Sequence, residues 1–222
     1  MLYLYHKEAG KPQLTLLGEE HRYIFKVRRH KNNDILYVRN LQDGLIHRYR
    51  IDAIDKKSVE LALEESEVLE IRARRPLHIG WCIIDPKNIE KNITSLNEMG
   101  VEKITFIYCA RSQKGFQVDF PRLQKILLNS SQQSGRSTMM VLDTAKDLKT
   151  FLTQNPQSYL LNFSDNMLDK KIPLDTIVVG CEGGFAEDEI ALFSSEKIVG
   201  FDTPLILKSE SAVCAVAGKI LL

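Results

Sequence analysis

The chain is poor in cysteine and shows no pattern for using it. Cys82, Cys109, Cys181 and Cys214 lie far apart, with no CxxC pair. Neither a zinc cluster nor a disulfide framework is expected, and a reducing cytoplasm fits best. Cys181 and Cys214 read as small buried apolar residues rather than nucleophiles. Long apolar runs are also lacking. Ile177-Val178-Val179 is typical of those present, whereas a membrane span needs ~20 such residues. The start, Met1 to Glu8, has neither the basic stretch nor the apolar core of a signal peptide. No histidine follows His78, and no GxSxG or HExxH occurs, which counts against a Ser–His triad or a zincin in the later chain. What is present is ordinary: 222 residues, 44% apolar and 27% charged, enough for one large domain or two small ones.

The net charge of +1 hides an asymmetry. Residues 21–50 hold eight Lys and Arg against two acidic residues, with His21, His30 and His47 besides, while residues 142–222 are net acidic. A local excess of this kind either binds a polyanion by releasing counterions or is a solvated basic face.

Residues 1–70 read as a small β-barrel or sheet module. Strands are expected at Ile35–Val38, near Leu45–Ile54 after the turn Gln42-Asp43-Gly44, and from Ser58 towards Leu69, with a short helix over Glu19–Val27. Arg72-Ala73-Arg74-Arg75-Pro76 is a plausible linker. From Leu77 strands and helices alternate, the signature of an α/β layer with a parallel sheet. Strands are expected at Leu77–Ile84, Ile104–Tyr108, Val141-Leu142, Tyr159–Leu161, Ile177–Val179 and Lys197–Gly200. Helices are expected at Lys87–Met99 (closed by Gly100), Phe120–Gln133, Asp147–Gln154, Glu187–Phe193 and Ser209–Leu222. The last is apolar on more than one side, which suits deep burial or a subunit interface.

Three segments can carry chemistry. Gly180-Cys181-Glu182-Gly183-Gly184-Phe185 joins a buried strand to a helix. Its glycines permit close approach of a ligand to the backbone beyond a strand's carboxyl end, a reading the residues favour modestly over a tight structural turn. It is neither GxGxxG nor a P-loop. The second segment, Phe201 to Ala212, leaves a strand and enters a helix that Ser209 or Ser211 can cap. Its trio Leu205-Ile206-Leu207 is odd in a loop: it walls a pocket for an aromatic ring or, as the residues alone favour, packs into the core. The third, Ser131 to Arg136, ends a helix with a donor suited to phosphate, or with an ordinary basic last turn.

Taken together and in order, these segments resemble the ribosomal RNA small-subunit methyltransferase E family of the SPOUT class. The family's GPEGG loop is matched by Gly180-Cys181-Glu182-Gly183-Gly184, and its LGxRILRxETA segment by residues up to Ala212. Its ELGV step is matched by Glu98-Met99-Gly100-Val101, its EQsgR ending by Gln132 to Arg136, and its early His and VLR by His21 and Val27-Arg28. Cys181 stands for the loop proline, Thr203 for a glycine, Leu205 and Lys208 for the two arginines, and Ser211 for threonine.

The resemblance implies an N-terminal PUA-like barrel over 1–70 and a C-terminal SPOUT α/β domain over 71–222 tied in a trefoil knot. It implies S-adenosylmethionine as cofactor, a homodimer, and methylation of a uridine at N3 in 16S rRNA of the small ribosomal subunit. The cofactor would be held by Leu161, Asn162, Gly180, Glu182, Gly183, Gly184, Phe201, Leu205, Ile206, Leu207, Ser211 and Ala212. Lys208, Glu210 and Arg136 are the catalytic candidates. Arg22, Arg28, Arg29 and Lys31, with Arg111 and Lys114, are the candidate RNA contacts. The rival readings are a non-catalytic RNA-binding or assembly factor on the same fold, a SPOUT enzyme acting on another base, and a small-molecule enzyme holding a nucleotide in the glycine loop.

Overall fold

The computed structural model describes residues 2–113 and 115–222. The chain forms two compact units, one of residues 1–72 and 131–139, the other of 73–130 and 140–222.

The first unit is a five-stranded sheet. Its strands are β1 (Leu4–Tyr5), β2 (Gln13–Leu17), β3 (Ile35–Arg39), β4 (Leu45–Ile54) and β5 (Ser58–Val68), in the order β1-β3-β4-β5-β2. All pairs are antiparallel except β1 with β3. Alternation decides which face is buried: Leu14 and Leu16 of β2 point inward, as do Val59 and Leu61 of β5. β1 and β2 escaped the sequence reading. The helix expected over Glu19–Val27 is a single α turn, α1 (Gly18–Arg22), that widens into a π turn over Tyr23–Val27. Segment 131–139 belongs to this unit through main-chain partners. The Tyr3 hydroxyl donates to the Arg136 carbonyl at 2.7 Å, Tyr5 N–H to Gln132 Oε1 at 2.8 Å, and Ile71 N–H to Ser137 Oγ at 2.9 Å.

The second unit holds a six-stranded, wholly parallel sheet. Its strands are β6 (His78–Cys82), β7 (Lys103–Ile107), β8 (Val141–Ala145), β9 (Tyr159–Leu161), β10 (Thr176–Val179) and β11 (Ile198–Val199), in the order β11-β9-β10-β6-β7-β8. The central strands are apolar without alternation, as a sheet covered on both faces requires. Helix α2 (Pro86–Met99) starts with proline in its first turn and an Asp85 carboxylate accepting from Lys87 N–H at 2.8 Å. It stops at Gly100 in the left-handed conformation. The other helices are α3 (Phe120–Ser134), α4 (Leu148–Gln154), α5 (Glu187–Ile190) and α6 (Ser209–Leu221). α6 packs on α2 and β10 and buries Ala212, Val213, Val216, Ala217 and Ile220.

Several expectations need correction. Cys82 and Cys109 form a disulfide at the carboxyl ends of β6 and β7, adjacent parallel strands that bring their Cα atoms to 5.8 Å. Sequence separation concealed this pairing. α5 is shorter than expected, because Leu192 and Phe193 bond back three residues rather than four. Neither Ser209 nor Ser211 caps α6: Lys208 holds the cap position without a side-chain bond, and Ser209 is the first helical residue. The trio Leu205-Ile206-Leu207 is not core; the residues are 71%, 81% and 37% exposed.

Candidate cofactor-binding site

β9, β10 and β11 release their chains at the same edge of the sheet, and a cavity of about 760 Å³ opens there. That is the volume range of small-molecule sites, ~300–1,000 Å³, and the carboxyl edge is where open α/β sheets place them. Two loops form its walls. The glycine loop leaves β10 as a tight turn, with Gly184 N–H bonded to the Cys181 carbonyl at 2.9 Å and Gly184 at φ 68°. A side chain is disfavoured in that left-handed conformation. The apolar loop runs from Phe201 to Lys208 and delivers α6.

Close packing behind the cavity depends on Gly200. A Cβ there would lie 2.7 Å from the Ser164 carbonyl oxygen and 3.0 Å from that of Asn162. The approach is fixed by main-chain bonds: Asn162 N–H to the Val199 carbonyl at 2.9 Å, Leu168 N–H to the Gly200 carbonyl at 2.7 Å, and Gly200 N–H to the Asn166 carbonyl at 2.9 Å.

Most of the expected cofactor residues meet at this cavity. Leu161, Asn162, Gly180, Glu182 and Gly184 line it, as do Phe201, Leu205, Ile206, Leu207 and Ala212, and the catalytic candidate Lys208 stands among them. Gly183, Ser211 and Glu210 are not lining residues. The Gly183 carbonyl instead accepts from Arg111 Nη1 at 2.8 Å, so Arg111 braces the glycine loop. Ser211 faces solvent. Glu210 Oε2 is buried with no hydrogen-bond partner among the described residues. Burial, and after it the Glu210 charge, push the Cys214 thiol pKa up. Arg136 is buried in the first unit; its charge and that of Arg39 favour ionisation of Tyr3, but burial outweighs them and raises the phenol. Arg22, Arg28, Arg29 and Lys31 are exposed on the first unit, where Arg28 lies over the Tyr23 ring and donates from Nε to its hydroxyl. Lys114 lies outside the described residues.

Sequence reasoning missed Phe163, Asp165, Met167, Gly200, Asp202 and Thr203, which also line the cavity. Phe163, 80% exposed, was detectable only as a lone aromatic just after a strand. A smaller cavity of about 450 Å³ lies at the carboxyl ends of β7 and β8, beside Tyr108, Asp147 and Glu189.

The lining fits S-adenosylmethionine on chemical grounds. The exposed side chains of Phe163, Leu205 and Ile206 provide an apolar bed for a purine. The main-chain N–H and C=O of Ile206 and Leu207 make no hydrogen bond among the described residues, leaving both donors and acceptors for a ring edge. Asp165, Glu182 and Asp202 outnumber Lys208, the one cation among the described lining residues. That balance suits a ligand carrying a sulfonium and an ammonium.

Comparison with known proteins agrees with this chemistry. Residues 72–221 match the family described as RNA methyltransferase domain, and residues 16–64 the family described as RNA methyltransferase PUA domain. The chain is thus an RNA methyltransferase by fold and sequence. Ribosomal RNA small subunit methyltransferase E of Helicobacter pylori is 35% identical over 221 residues, 98% of each chain. The protein of the same name from Rickettsia conorii is 25% identical over 232 residues, 97% of this chain and 93% of that one. A solved structure of the Neisseria gonorrhoeae protein of that name, bound to S-adenosyl methionine, shares the fold at TM-score 0.81 and 18% identity, over 98% of this chain and 95% of the other. The chain belongs to the ribosomal RNA small subunit methyltransferase E family. Among the described residues, no helix is long and apolar enough to cross a membrane.

Proposed function

We propose that the chain acts in the cytoplasm as a homodimer and methylates a uridine at N3 in 16S rRNA of the small ribosomal subunit, with S-adenosylmethionine as donor. In this reading residues 1–70 are a PUA-like barrel that grips RNA, and residues 71–222 are a SPOUT domain with a trefoil knot. The observation that carries it is the shared cavity of the glycine and apolar loops, with Lys208 at its wall.

The bound cofactor supplies a methyl group already activated by its sulfonium. The protein's own work is alignment and charge management. Leu205, Ile206 and Phe163 cover the purine and exclude water, and the backbone between Ile206 and Leu207 reads its polar edge. Uracil N3 keeps its proton at neutral pH, so the site must favour the anion that forms across N3 and the flanking carbonyl oxygens. Lys208 supplies that stabilisation. Glu210 stands two residues beyond Lys208 and off the cavity lining, so the proton-transfer step is not assigned to it. Gly183 holds the glycine loop through the bond it accepts from Arg111, and the exposed Ser211 stands off the cavity wall. Because N3 lies on the Watson–Crick edge, the base must be unpaired or extruded. The excess of carboxylates in the cavity repels phosphate, so the RNA backbone is gripped elsewhere. Arg22, Arg28, Arg29 and Lys31, with Arg111 and Lys114, are the residues for it.

The test is methyl transfer to small subunits and to naked 16S rRNA from cells lacking the protein, with mass mapping of the product. A single N3-methyluridine in 16S rRNA is expected. A methyl group on another base, or none, overturns the reading.

A further inference from the structure

The sole tryptophan of the chain is fully buried as the last residue but one of a central strand, and it is not idle packing. Trp81 stands opposite Val179 in the β6–β10 register, so its ring lies beside the residue that precedes the glycine loop. Its Nε1–H donates to Ser209 Oγ at 2.9 Å, and the Ser209 hydroxyl donates in turn to the Gly180 carbonyl at 2.5 Å. Indole nitrogen is only a donor and a carbonyl only an acceptor, so the serine must accept from one and donate to the other. The relay therefore has one possible direction. It fastens the first residue of the glycine loop to the first residue of α6, where the apolar loop ends.

Ser209 is buried, at 5% exposure, and is itself among the lining residues of the cavity, as is Lys208, while Glu210 is not. Without the hydroxyl, a buried indole N–H and a half-buried carbonyl lose their partner together. The cheapest relief is for the two loops to separate.

We propose that Trp81 and Ser209 are positioning residues for methyl transfer, setting the spacing of the two loops that hold the methyl donor. This rests on the reading of the cavity given above. It adds that cofactor affinity is governed by two side chains outside both loops: Ser209 at the cavity wall, and Trp81, off the lining and 128 residues from it in sequence.

The test uses the full chain and S-adenosylhomocysteine as probe. Binding is measured by calorimetry, and turnover on small subunits is split into kcat and the two KM values. Ser209→Ala should raise the Kd for the probe and the KM for the cofactor at least tenfold. The KM for small subunits should stay within about twofold, and Trp81 emission should change because its N–H loses its acceptor. Ser209→Thr, which keeps the hydroxyl, should return Kd to within about threefold of the parent. Trp81→Phe leaves Ser209 free to turn away and should give an intermediate Kd, which decides the matter if Ser209→Ala does not fold. Parental Kd in either Ser209→Ala or Trp81→Phe, or a Ser209→Thr no better than alanine, overturns the proposal. Failure of the parent chain itself to bind the probe removes the cofactor reading, and the relay's role with it.

Discussion

Arg111 Nη1 lies 2.8 Å from the carbonyl oxygen of Gly183. The loop after β7 is thereby tied to the loop after β10, two strands away in the sheet. A second tie reinforces it: the Glu189 carboxylate, buried in α5, accepts from Ala110 N–H at 2.8 Å and from Ala186 N–H at 2.9 Å. Arg111→Ala should therefore raise the Kd for S-adenosylhomocysteine by about three- to tenfold, since a hydrogen bond from a charged donor is worth ~1.5–3 kcal/mol when buried and less at an exposed site. If RNA affinity falls and cofactor affinity does not, the arginine serves the RNA instead.

Gly200→Ala places a methyl group 2.7 Å from the Ser164 carbonyl oxygen, and that atom is main chain held by its own neighbours. Overpacking of this kind costs about 1–3 kcal/mol, enough to lower Tm by several degrees in a chain of this size. Differential scanning fluorimetry reads it, and calorimetry should show weaker cofactor binding in the same variant. An unchanged Tm refutes the close approach.

Lys208→Ala should cut turnover at saturating cofactor by about a hundredfold, the scale of losing one preorganised donor to a developing negative charge. Affinity for the cofactor should change far less. Initial rates of methyl incorporation into small subunits measure the first effect and calorimetry the second. Equal turnover removes Lys208 from the chemistry.

Arg28 and Arg29 leave the π turn exposed to solvent, Arg29 at φ 58°. If both meet phosphates, the double change to alanine should lower the slope of log K against log salt by about 1.5–2. Binding titrations with 16S rRNA fragments at three or more salt concentrations measure the slope, and an unchanged slope refutes the contact.

His78 supplies a pH test. Burial first, and the Lys103 charge after it, lower its pKa from 6.5 to about 4, and its Nε2 sits 2.8 Å from Thr105 Oγ1. Between those values the unfolded chain binds a proton that the folded chain refuses, so stability rises with pH across the interval and is lost on acidification. Tm should fall as pH drops from about 6.5 towards 4, and His78→Asn should flatten that slope. A slope identical in the variant assigns the acid sensitivity to other groups.

The sequence was most legible where a local signal settled the outcome. Gln42-Asp43-Gly44 set the start of β4, and Gly100 set the end of α2. The spacing of Ile89, Ile93 and Leu96 gave that helix its buried face. It was silent where structure is made at long range. β1 is two residues long and exists only because β3 lies beside it. Cys82 meets Cys109 only once β6 and β7 pair. At the site, the glycine loop declared itself by composition. The apolar trio misled, because exposed leucine and isoleucine beside a cavity look in sequence like core. Met167 and Gly200 gave no signal, and Phe163 only that of a lone aromatic after a strand, since their place depends on β9 and β11 lying side by side.

One feature of the first unit governs how the protein can be taken apart. Residues 131–139 fold with 1–72, although the chain between them builds the parallel sheet. A cut at residue 72 would strip Gln132, Arg136 and Ser137 of Tyr5, Tyr3 and Ile71. Neither fragment would be complete: the front piece would lack its last segment, and the rear piece would carry a stretch with nothing to hold. Truncations meant to isolate the methyl-transferring half must carry the front segment along or redesign that stretch.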